Sequence, residues 1–463
     1  MVPVYALPLT NEMSDSLFRW PLPGRSPSLS DDALLHSMLR FEVALARTQA
    51  SLGLIPSPAA AAIARYAPSF RIDSNALARS AAHAGSLAIP FVAALRGHLH
   101  QHDREAADHL HFGTTSQDLL DTALVLCLKP ALAELQSALL RCRDAAVALA
   151  RTHRATPVLA RTLLQPAGIT TIGFKAAQWA GSLSTASVHI EKSATDALVV
   201  SLGGTIGNLG AYGDKGAQLR AALAQLLELG DPGRSWHTQR ERLVALAADI
   251  GISGGTMAKI ARDLSLMMQF EVGEASEPSS TGRGGSTAMP HKRNPVLTMR
   301  VLATLQPLPG WIANLLSAMV QEHERGLGNW QAEIDQYRML VDNALAGALA
   351  LAELLEGVRF DVTRCRANID ALYGTIFSEA LTTLLAPALG KANTQECVAA
   401  LCSEAVETKR PLRDLALGMR DADPALSGIA REDIAAVFEV QRAARASERE
   451  TEAMLRTIEM TDL

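Results

Sequence analysis

The chain has 463 residues, of which 48% are apolar and only 4% aromatic, and its formal net charge is −5. This length allows about three domains and a large core. A core rich in alanine and leucine, with few aromatic side chains, favours packed helices over strands. A mildly acidic chain without long basic runs gives no support for nucleic-acid binding.

The N-terminal residues M-V-P-V-Y-A-L-P-L-T lack a basic segment followed by a long apolar run, so no signal peptide is predicted. No stretch approaches about eighteen uninterrupted apolar residues, so no membrane span is predicted. The five cysteines form no C-x-x-C pair, and we interpret them as reduced, buried thiols. These features predict a soluble, cytoplasmic protein.

The first predicted elements are helices with recognisable N-termini. Ser30 begins the pattern S-D-D-A-L-L, which is typical of an N-cap, and the amphipathic helix that follows covers residues 30–52. A later helix is predicted to begin near Thr115, because Thr115 and Asp118 have the spacing of a capping box. Pro130 is expected to kink or divide this helix.

Long helical patterns recur further along the chain. They cover residues 131–154, 166–200, 214–229, 236–276, 295–325 and 330–357. Several exceed about twenty residues, which is longer than usual for a globular domain. The connections between them are rich in glycine. We therefore predict an all-α fold with three helical domains: an N-terminal domain (1–110), a central long-helix bundle (111–358) and a C-terminal domain (359–463).

The segment T-G-R-G-G-S-T-A-M-P-H-K-R-N-P, residues 281–295, is the most informative part of the chain. Its three glycines and two prolines predict a loop. Four basic side chains surround the serine of this loop, Ser286: Arg283, His291, Lys292 and Arg293. A small polyanion is the kind of ligand that such a cluster would bind.

Three interpretations of this loop are weighed. A nucleotide-binding P-loop is excluded, because Lys292 is not preceded by glycine and followed by serine or threonine. A structural linker is the simpler alternative. As an anion-binding catalytic loop, its amides could approach carboxylate oxygens, and the helix restarting near Pro295 would offer a positive N-terminal end. The surrounding cations could then stabilise the alkoxide of Ser286, so that it acts as an acid/base.

Three further segments carry polar groups: H-F-G-T-T-S-Q-D (111–118), R-T-L-L-Q-P (161–166) and W-H-T-Q-R-E-R (236–242). Taken alone, the first would more often be a helix cap and the last a solvated helix start. The histidines between residues 98 and 111 suggest a metal site. However, only His98 and His102 share a helical face, and no nearby carboxylate completes a ligand set, so no metal is predicted.

Taken together, H-F-G-T-T-S-Q-D, W-H-T-Q-R-E-R and G-R-G-G-S-T-A-M-P-H-K-R-N-P resemble the successive signature regions of the fumarase/aspartase superfamily, in the family order. The resemblance implies long helical bundles that assemble as a homotetramer, with each active site built from segments of three subunits. Members add or remove a group across a carbon–carbon double bond next to a carboxylate. They do so through an enolate-like intermediate and without a cofactor.

The resemblance also implies roles for individual residues. Ser286 falls at the position of the catalytic serine. The residues expected to contact a small polycarboxylate substrate are His111, Thr115, Ser116, Gln165, Gln239, Arg283, Lys292 and Asn294. No metal, cofactor, nucleic acid or membrane partner is expected.

Departures from the family pattern narrow the reaction. Fumarase and adenylosuccinate lyase carry a histidine and a glutamate where this chain has Leu163 and Met299. Adenylosuccinate lyases also carry an R-H-D motif, whereas the comparable stretch here, around Ser86 to Val92, lacks it. A carboxylate that is already part of the substrate has a low pKa and needs no general acid to leave. The chain thus most resembles the superfamily branch that lactonises 3-carboxy-cis,cis-muconate in protocatechuate (β-ketoadipate) breakdown.

Other segments support this branch, including G-G-T-I-G-N-L-G-A-Y-G-D-K-G and Q-E-H-E-R-G-L-G-N-W-Q-A-E. Two local differences remain, because Thr287 replaces the usual second serine and Leu163 replaces a larger side chain of other cycloisomerases. Three alternatives stay open: a carbon–nitrogen lyase of the adenylosuccinate type, a related cycloisomerase with a shifted substrate, and a non-catalytic helical scaffold.

Overall fold

The computed structural model describes residues 26–280, 282–285, 289 and 291–461. The predicted all-α class is confirmed. The α-helices of the described residues are α1 (Asp31–Ser51), α2 (Ser57–Tyr66), α3 (Ser74–Ala84), α4 (Ala88–His100), α5 (Arg104–Asp108), α6 (Ser116–Thr152), α7 (Ile172–Ala197), α8 (Gly216–Leu227), α9 (Glu241–Met267), α10 (Val296–Leu305), α11 (Leu308–Ala318), α12 (Asn329–Gly357), α13 (Val362–Asp370), α14 (Ser378–Leu389), α15 (Lys391–Thr408), α16 (Leu412–Ala422), α17 (Arg431–Val437) and α18 (Val440–Thr461).

The strands are short and form two antiparallel pairs. One pair joins β1 (Pro157–Thr162) to β2 (Gln165–Thr171), and the other joins β3 (Ala275–Ser276) to β4 (Arg359–Phe360).

The chain divides into two compact units, each built from segments that are distant in sequence. The first unit comprises the chain up to Ala131, Leu198–Gln239 and Ser317–Ala346. The second comprises Leu132–Ala197, Arg240–Leu316 and the chain from Gly347. The division of the sequence into three domains stays a prediction.

The first unit is built on α1 to α5 and the first part of α6. Ser30 caps α1, as predicted, and its side chain accepts a hydrogen bond from the backbone N–H of Ala33 at 3.2 Å. The buried face of α1 contributes Met38, Phe41 and Leu45 to an apolar core. The core also receives residues of α2, α4, α6 and α8, so that burial of apolar area stabilises the unit as one body.

Helix α6 begins at Ser116, as the capping pattern predicts, because the Asp118 carboxylate accepts a hydrogen bond from the backbone N–H of Thr115 at 3.1 Å. The helix is not divided at Pro130 but continues to Thr152. Pro130 nevertheless lies next to Ala131, where the chain passes from the first unit to the second.

In the second unit, α9 packs along α7, and α18 also packs on α7. Glycine allows close approach on α9, since a Cβ at Gly254 would lie 2.7 Å from Leu308 Cδ2. The predicted single helix over 295–325 is wrong. It is two helices, α10 and α11, that separate at Pro307, because proline removes a backbone donor and disfavours helix at the preceding residue.

The predicted helix over 166–200 is wrong at its beginning. Residues Gln165–Thr171 form β2, and α7 begins only at Ile172. Strands β1 and β2 form a hairpin whose two-residue turn consists of Leu163 (φ 52°) and Leu164 (φ 66°). Two-residue hairpins favour this left-handed backbone because it matches the twist of the strands, although leucine rarely adopts it.

Two helices, α6 and α9, are long and apolar enough to cross a membrane by length and composition alone. In the fold, 61% and 50% of their most apolar windows are buried against other parts of the protein. That burial accounts for their hydropathy, since a helix that is buried on most sides is apolar on most sides.

Candidate active site

The side chain of Asp118 organises the first unit's part of the candidate site. It is fully buried, and its two oxygens accept five hydrogen bonds. The donors are Gly203 N (2.8 Å), Gly204 N (2.9 Å), Thr114 Oγ1 (3.0 Å), Thr115 N (3.1 Å) and His237 Nε2 (2.6 Å). A carboxylate with this many donors is stabilised in its charged form, although it is shielded from water.

Three segments that are separate in sequence therefore meet at Asp118. The start of α6 is held against the glycine-rich stretch at 203–204 and against the segment that carries His237. A further bond from Gln117 Nε2 to the His237 carbonyl, at 2.7 Å, strengthens this junction. Glycine is required at 203, because a Cβ there would lie 2.9 Å from the His237 ring.

Of the predicted substrate-binding residues in the first unit, Thr115 and Ser116 lie at this junction and are half-buried. Gln239 follows two positions after His237 and is exposed. The backbone N–H of Gln239 donates to the Trp236 carbonyl at 3.2 Å, which leaves the side chain outside the backbone pairing of this turn.

His111 lies in a tight turn just before the same helix. Its backbone has φ 61°, and its Nδ1 lies 2.5 Å from Oε1 of Glu42 on α1. The next residue of the turn is held by Gln49 Nε2 and by the Tyr212 hydroxyl, which both donate to the Phe112 carbonyl. Burial lowers the pKa of His111, but the Glu42 carboxylate more than offsets this effect, so that the pKa is raised overall.

The hairpin of β1 and β2 carries the second unit's first candidate segment. Arg161 makes a two-pronged ion pair with Glu274, with distances of 2.9 and 2.7 Å, and Asn368 donates to the same carboxylate at 2.9 Å. Glu274 is fully buried, so this pairing fixes the base of the hairpin. Gln165 is exposed at the start of β2, and the Leu163 residue is 96% exposed at the tip.

The glycine-rich loop follows in the same unit, but Ser286 lies outside the described residues. Its described part is closed by a bond from Asn294 N to the Gly284 carbonyl at 2.8 Å. Lys292 is exposed and Asn294 half-buried. Arg283 is paired with Glu353 on α12 at 2.5 Å, so its guanidinium would have to leave or share this partner to bind a substrate.

The start of α10, after the loop, differs from expectation. Glu277 accepts hydrogen bonds from Leu297 N (3.0 Å), Thr298 N (2.7 Å) and Thr298 Oγ1 (2.6 Å). The N-terminal amides of this helix are therefore already satisfied by a protein carboxylate. The expectation that this helix end receives a substrate carboxylate is wrong, and the loop amides and side chains remain for that role.

Sequence reasoning missed several residues of these clusters. Glu42, Glu274 and Glu277 were not considered, and the buried pairing of His237 was not foreseen. The Asp118 spacing signalled a cap, but not its contact with Gly203 and Gly204. Among the described residues, no group of three His, Cys, Asp or Glu side chains is arranged to hold a metal ion.

The geometry can be compared with known proteins. A model of the family described as Lyase matches residues 26–303. The chain belongs to this lyase family, within the fumarase/aspartase superfamily.

Within this family the chain is 40% identical to a 3-carboxy-cis,cis-muconate cycloisomerase of Bradyrhizobium diazoefficiens, over 93% of this chain and 94% of that protein. It is 39% identical to a nitrosuccinate lyase of Streptomyces davaonensis, over 84% and 83% of the two chains. The crystal structure of 3-carboxy-cis,cis-muconate lactonizing enzyme from Pseudomonas putida is similar, with a TM-score of 0.87 and 35% identity over 95% of this chain and 98% of that one. The lyase fold predicted from the signature segments is thus confirmed.

Proposed function

We propose that this lyase-family protein is a cofactor-independent cycloisomerase that converts 3-carboxy-cis,cis-muconate to a carboxymuconolactone. The observation that carries the proposal is the likeness to cycloisomerases along nearly the whole chain. Leucine and methionine at positions 163 and 299, in place of a histidine and a glutamate, agree with a reaction that needs no acid for its leaving group.

In the proposed reaction, one substrate carboxylate attacks the conjugated double bond of the same molecule and forms a carbon–oxygen bond. The displaced electron pair moves onto a second carboxylate, which becomes enolate-like. Ser286 then delivers a proton to carbon, so that the net change is an isomerisation. Because nucleophile and acceptor belong to one molecule, holding them in a reactive geometry supplies much of the rate.

The binding roles follow the charges and donors of the candidate residues. His111, Thr115, Ser116 and Gln239 would supply donors from the first unit, and Gln165, Arg283, Lys292 and Asn294 from the second. The lysine and the loop amides would stabilise the enolate-like charge as it develops. We propose that the protein works in the cytoplasm as a homotetramer with shared active sites. The large exposed side chains of Leu163, Leu164 and Phe270 support burial against further subunits.

A second candidate is a lyase that eliminates nitrogen from a succinate derivative, and it is favoured by the identity to nitrosuccinate lyase. The two candidates differ in substrate but share the serine loop. Adenylosuccinate, a cycloisomerase substrate of altered shape, and a scaffold without activity complete the alternatives.

The test gives the purified protein 3-carboxy-cis,cis-muconate and follows loss of the ultraviolet absorbance of the diene, with the product identified by NMR. Nitrosuccinate and adenylosuccinate are tested in parallel. Loss of the diene alone supports the cycloisomerase, and turnover of nitrosuccinate alone supports the second candidate. Turnover of none would favour the scaffold.

The catalytic serine is tested with a matched pair of variants. Ser286→Ala is expected to lower kcat about 1,000-fold or more, since it removes the proton donor. Ser80→Ala, on an exposed face of α3, should retain the wild-type rate. Equal rates for both variants would remove Ser286 from the mechanism.

A further inference from the structure

Helix α1 presents two buried polar side chains to the turn that contains His111. Glu42 and Gln49 lie seven positions apart, so they share a face of the helix. Each is 1% exposed, and they contact consecutive residues, His111 and Phe112. Polar residues at core positions are costly unless they are paired, so this arrangement indicates a role for the turn.

The Glu42 carboxylate has one hydrogen-bond partner, which is His111. Its other oxygen, Oε2, is buried and has none among the described residues. A buried carboxylate in this position is stable only if its partner carries the opposite charge. A protonated imidazole donates from Nδ1 to Glu42 and keeps a second donor at Nε2.

The backbone of the turn points to the same conclusion. His111 adopts φ 61° and Gly113 adopts φ 71°, and a Cβ at Gly113 would lie 2.5 Å from the Tyr212 ring. A left-handed conformation costs a non-glycine residue about 1 kcal/mol, and it persists only where surrounding contacts hold it. Here those contacts are the Glu42 carboxylate and the bonds to the Phe112 carbonyl.

We infer that Glu42 is a positioning residue of the substrate site, which holds His111 as an imidazolium cation so that Nε2 is available to a carboxylate of the substrate. The inference rests on the proposed function for the identity of that carboxylate. The ring is a fixed charge in this role and transfers no proton during the reaction.

Charged groups on each neighbouring element bear on this cation. Glu42 on α1 and Asp118 at the start of α6 raise the pKa of His111, whereas burial and Arg96 on α4 lower it. Arg96 donates to the Leu110 carbonyl at 3.2 Å. Tyr212 stays neutral, because burial raises its pKa. The net effect is a histidine that remains charged at a pH where an exposed histidine has lost its proton.

The experiment combines two measurements on the full-length protein, in three variants. The pH titration of the His111 imidazole is followed by NMR of protein labelled at histidine, and it is assigned by the signal lost in His111→Asn. Asparagine is suited to this substitution because it tolerates left-handed backbone. In parallel, kcat and KM for 3-carboxy-cis,cis-muconate are measured against pH for wild type, Glu42→Gln, His111→Asn and a control, Glu105→Gln. Glu105 is exposed on α5.

In Glu42→Gln the titration of His111 is expected to move to lower pH, because burial persists without the carboxylate. KM above neutral pH should rise about tenfold or more, as expected for the loss of one charge-assisted hydrogen bond, with a smaller change in kcat. His111→Asn should raise KM at every pH and abolish this pH dependence. Glu105→Gln should match wild type.

The inference is overturned if Glu42→Gln leaves both the titration and the KM profile unchanged, or if His111 of the wild type is neutral below its ordinary pKa. A wild-type protein that does not turn over the substrate, yet shows the expected titration and its loss in Glu42→Gln, would overturn the proposed function. The pairing of Glu42 with His111 would stand in that case.

Discussion

Asp118 and His237 are 119 positions apart in sequence, yet Oδ1 of one lies 2.6 Å from Nε2 of the other. Both side chains are buried, at 0% and 3% exposure. The contact joins the helix start that carries Thr115 and Ser116 to the segment that carries Gln239. The shape of this part of the candidate site therefore depends on one carboxylate that need not touch the substrate.

Replacing that carboxylate should destabilise the protein. In Asp118→Asn one oxygen becomes a donor that faces other donors, so the free energy of unfolding should fall by about 3–5 kcal/mol. Denaturation in urea measures this loss. The control is Asp108→Asn at the exposed end of α5, which should change stability by less than about 0.5 kcal/mol. Similar stability of the two variants would show that the five hydrogen bonds contribute little.

The pairing of His111 predicts how stability depends on pH. Because the pKa of His111 is raised in the folded state, its contribution to stability is fully present below the ordinary value of 6.5 and is lost as pH rises through the raised value. The difference in unfolding free energy between wild type and His111→Asn should therefore be largest at acidic pH and shrink towards alkaline pH. His36→Asn, on the exposed face of α1, should show a difference that does not vary in this way.

The hairpin tip offers two leucines with the same backbone and different expected roles. Leu163→Asn and Leu164→Asn should each relieve about 1 kcal/mol of left-handed strain, since asparagine tolerates φ above zero. Only Leu163 occupies the family position of a catalytic histidine, so only Leu163→Asn should change kcat/KM, by about tenfold or more. Thermal unfolding and steady-state kinetics measure the two effects. Equal kinetic losses would assign the effect to the hairpin as a whole.

Glu277 should act on the catalytic loop through the helix that follows it. In Glu277→Gln the first turn of α10 loses a charged cap, which should cost about 1–2 kcal/mol of stability. We expect KM to rise as well, because the position of Asn294 depends on the start of this helix. Glu271→Gln, an exposed position nearby, is the matched control. A normal KM in Glu277→Gln would separate the helix cap from the site.

Sequence reasoning predicted features that depend on near neighbours in the chain. The cap at Ser30 and the start of α6 at Ser116 are set by side chains within three residues, and both are confirmed. The hairpin was missed because its turn holds two leucines, where glycine or asparagine would have signalled left-handed backbone.

Contacts across the fold were beyond such reasoning. Glu42 and His111 are 69 positions apart, and Arg161 and Glu274 are 113 apart. Nothing in the local pattern of either segment specifies its partner. The signature segments supplied the family because their order was recognisable, but the carboxylates that support them became visible only in the folded chain.

The first unit is completed by Ser317–Ala346, far from its other segments in sequence. There Trp330 fills the apolar core and donates to Asp121 at 3.0 Å. A ribosome adds about 5–20 residues per second, so α1 to α5 wait on the order of ten seconds or more for this last piece. During synthesis the nascent chain must therefore keep an unfinished core from aggregating, and a message truncated before Ser317 would yield a product that chaperones and proteases recognise.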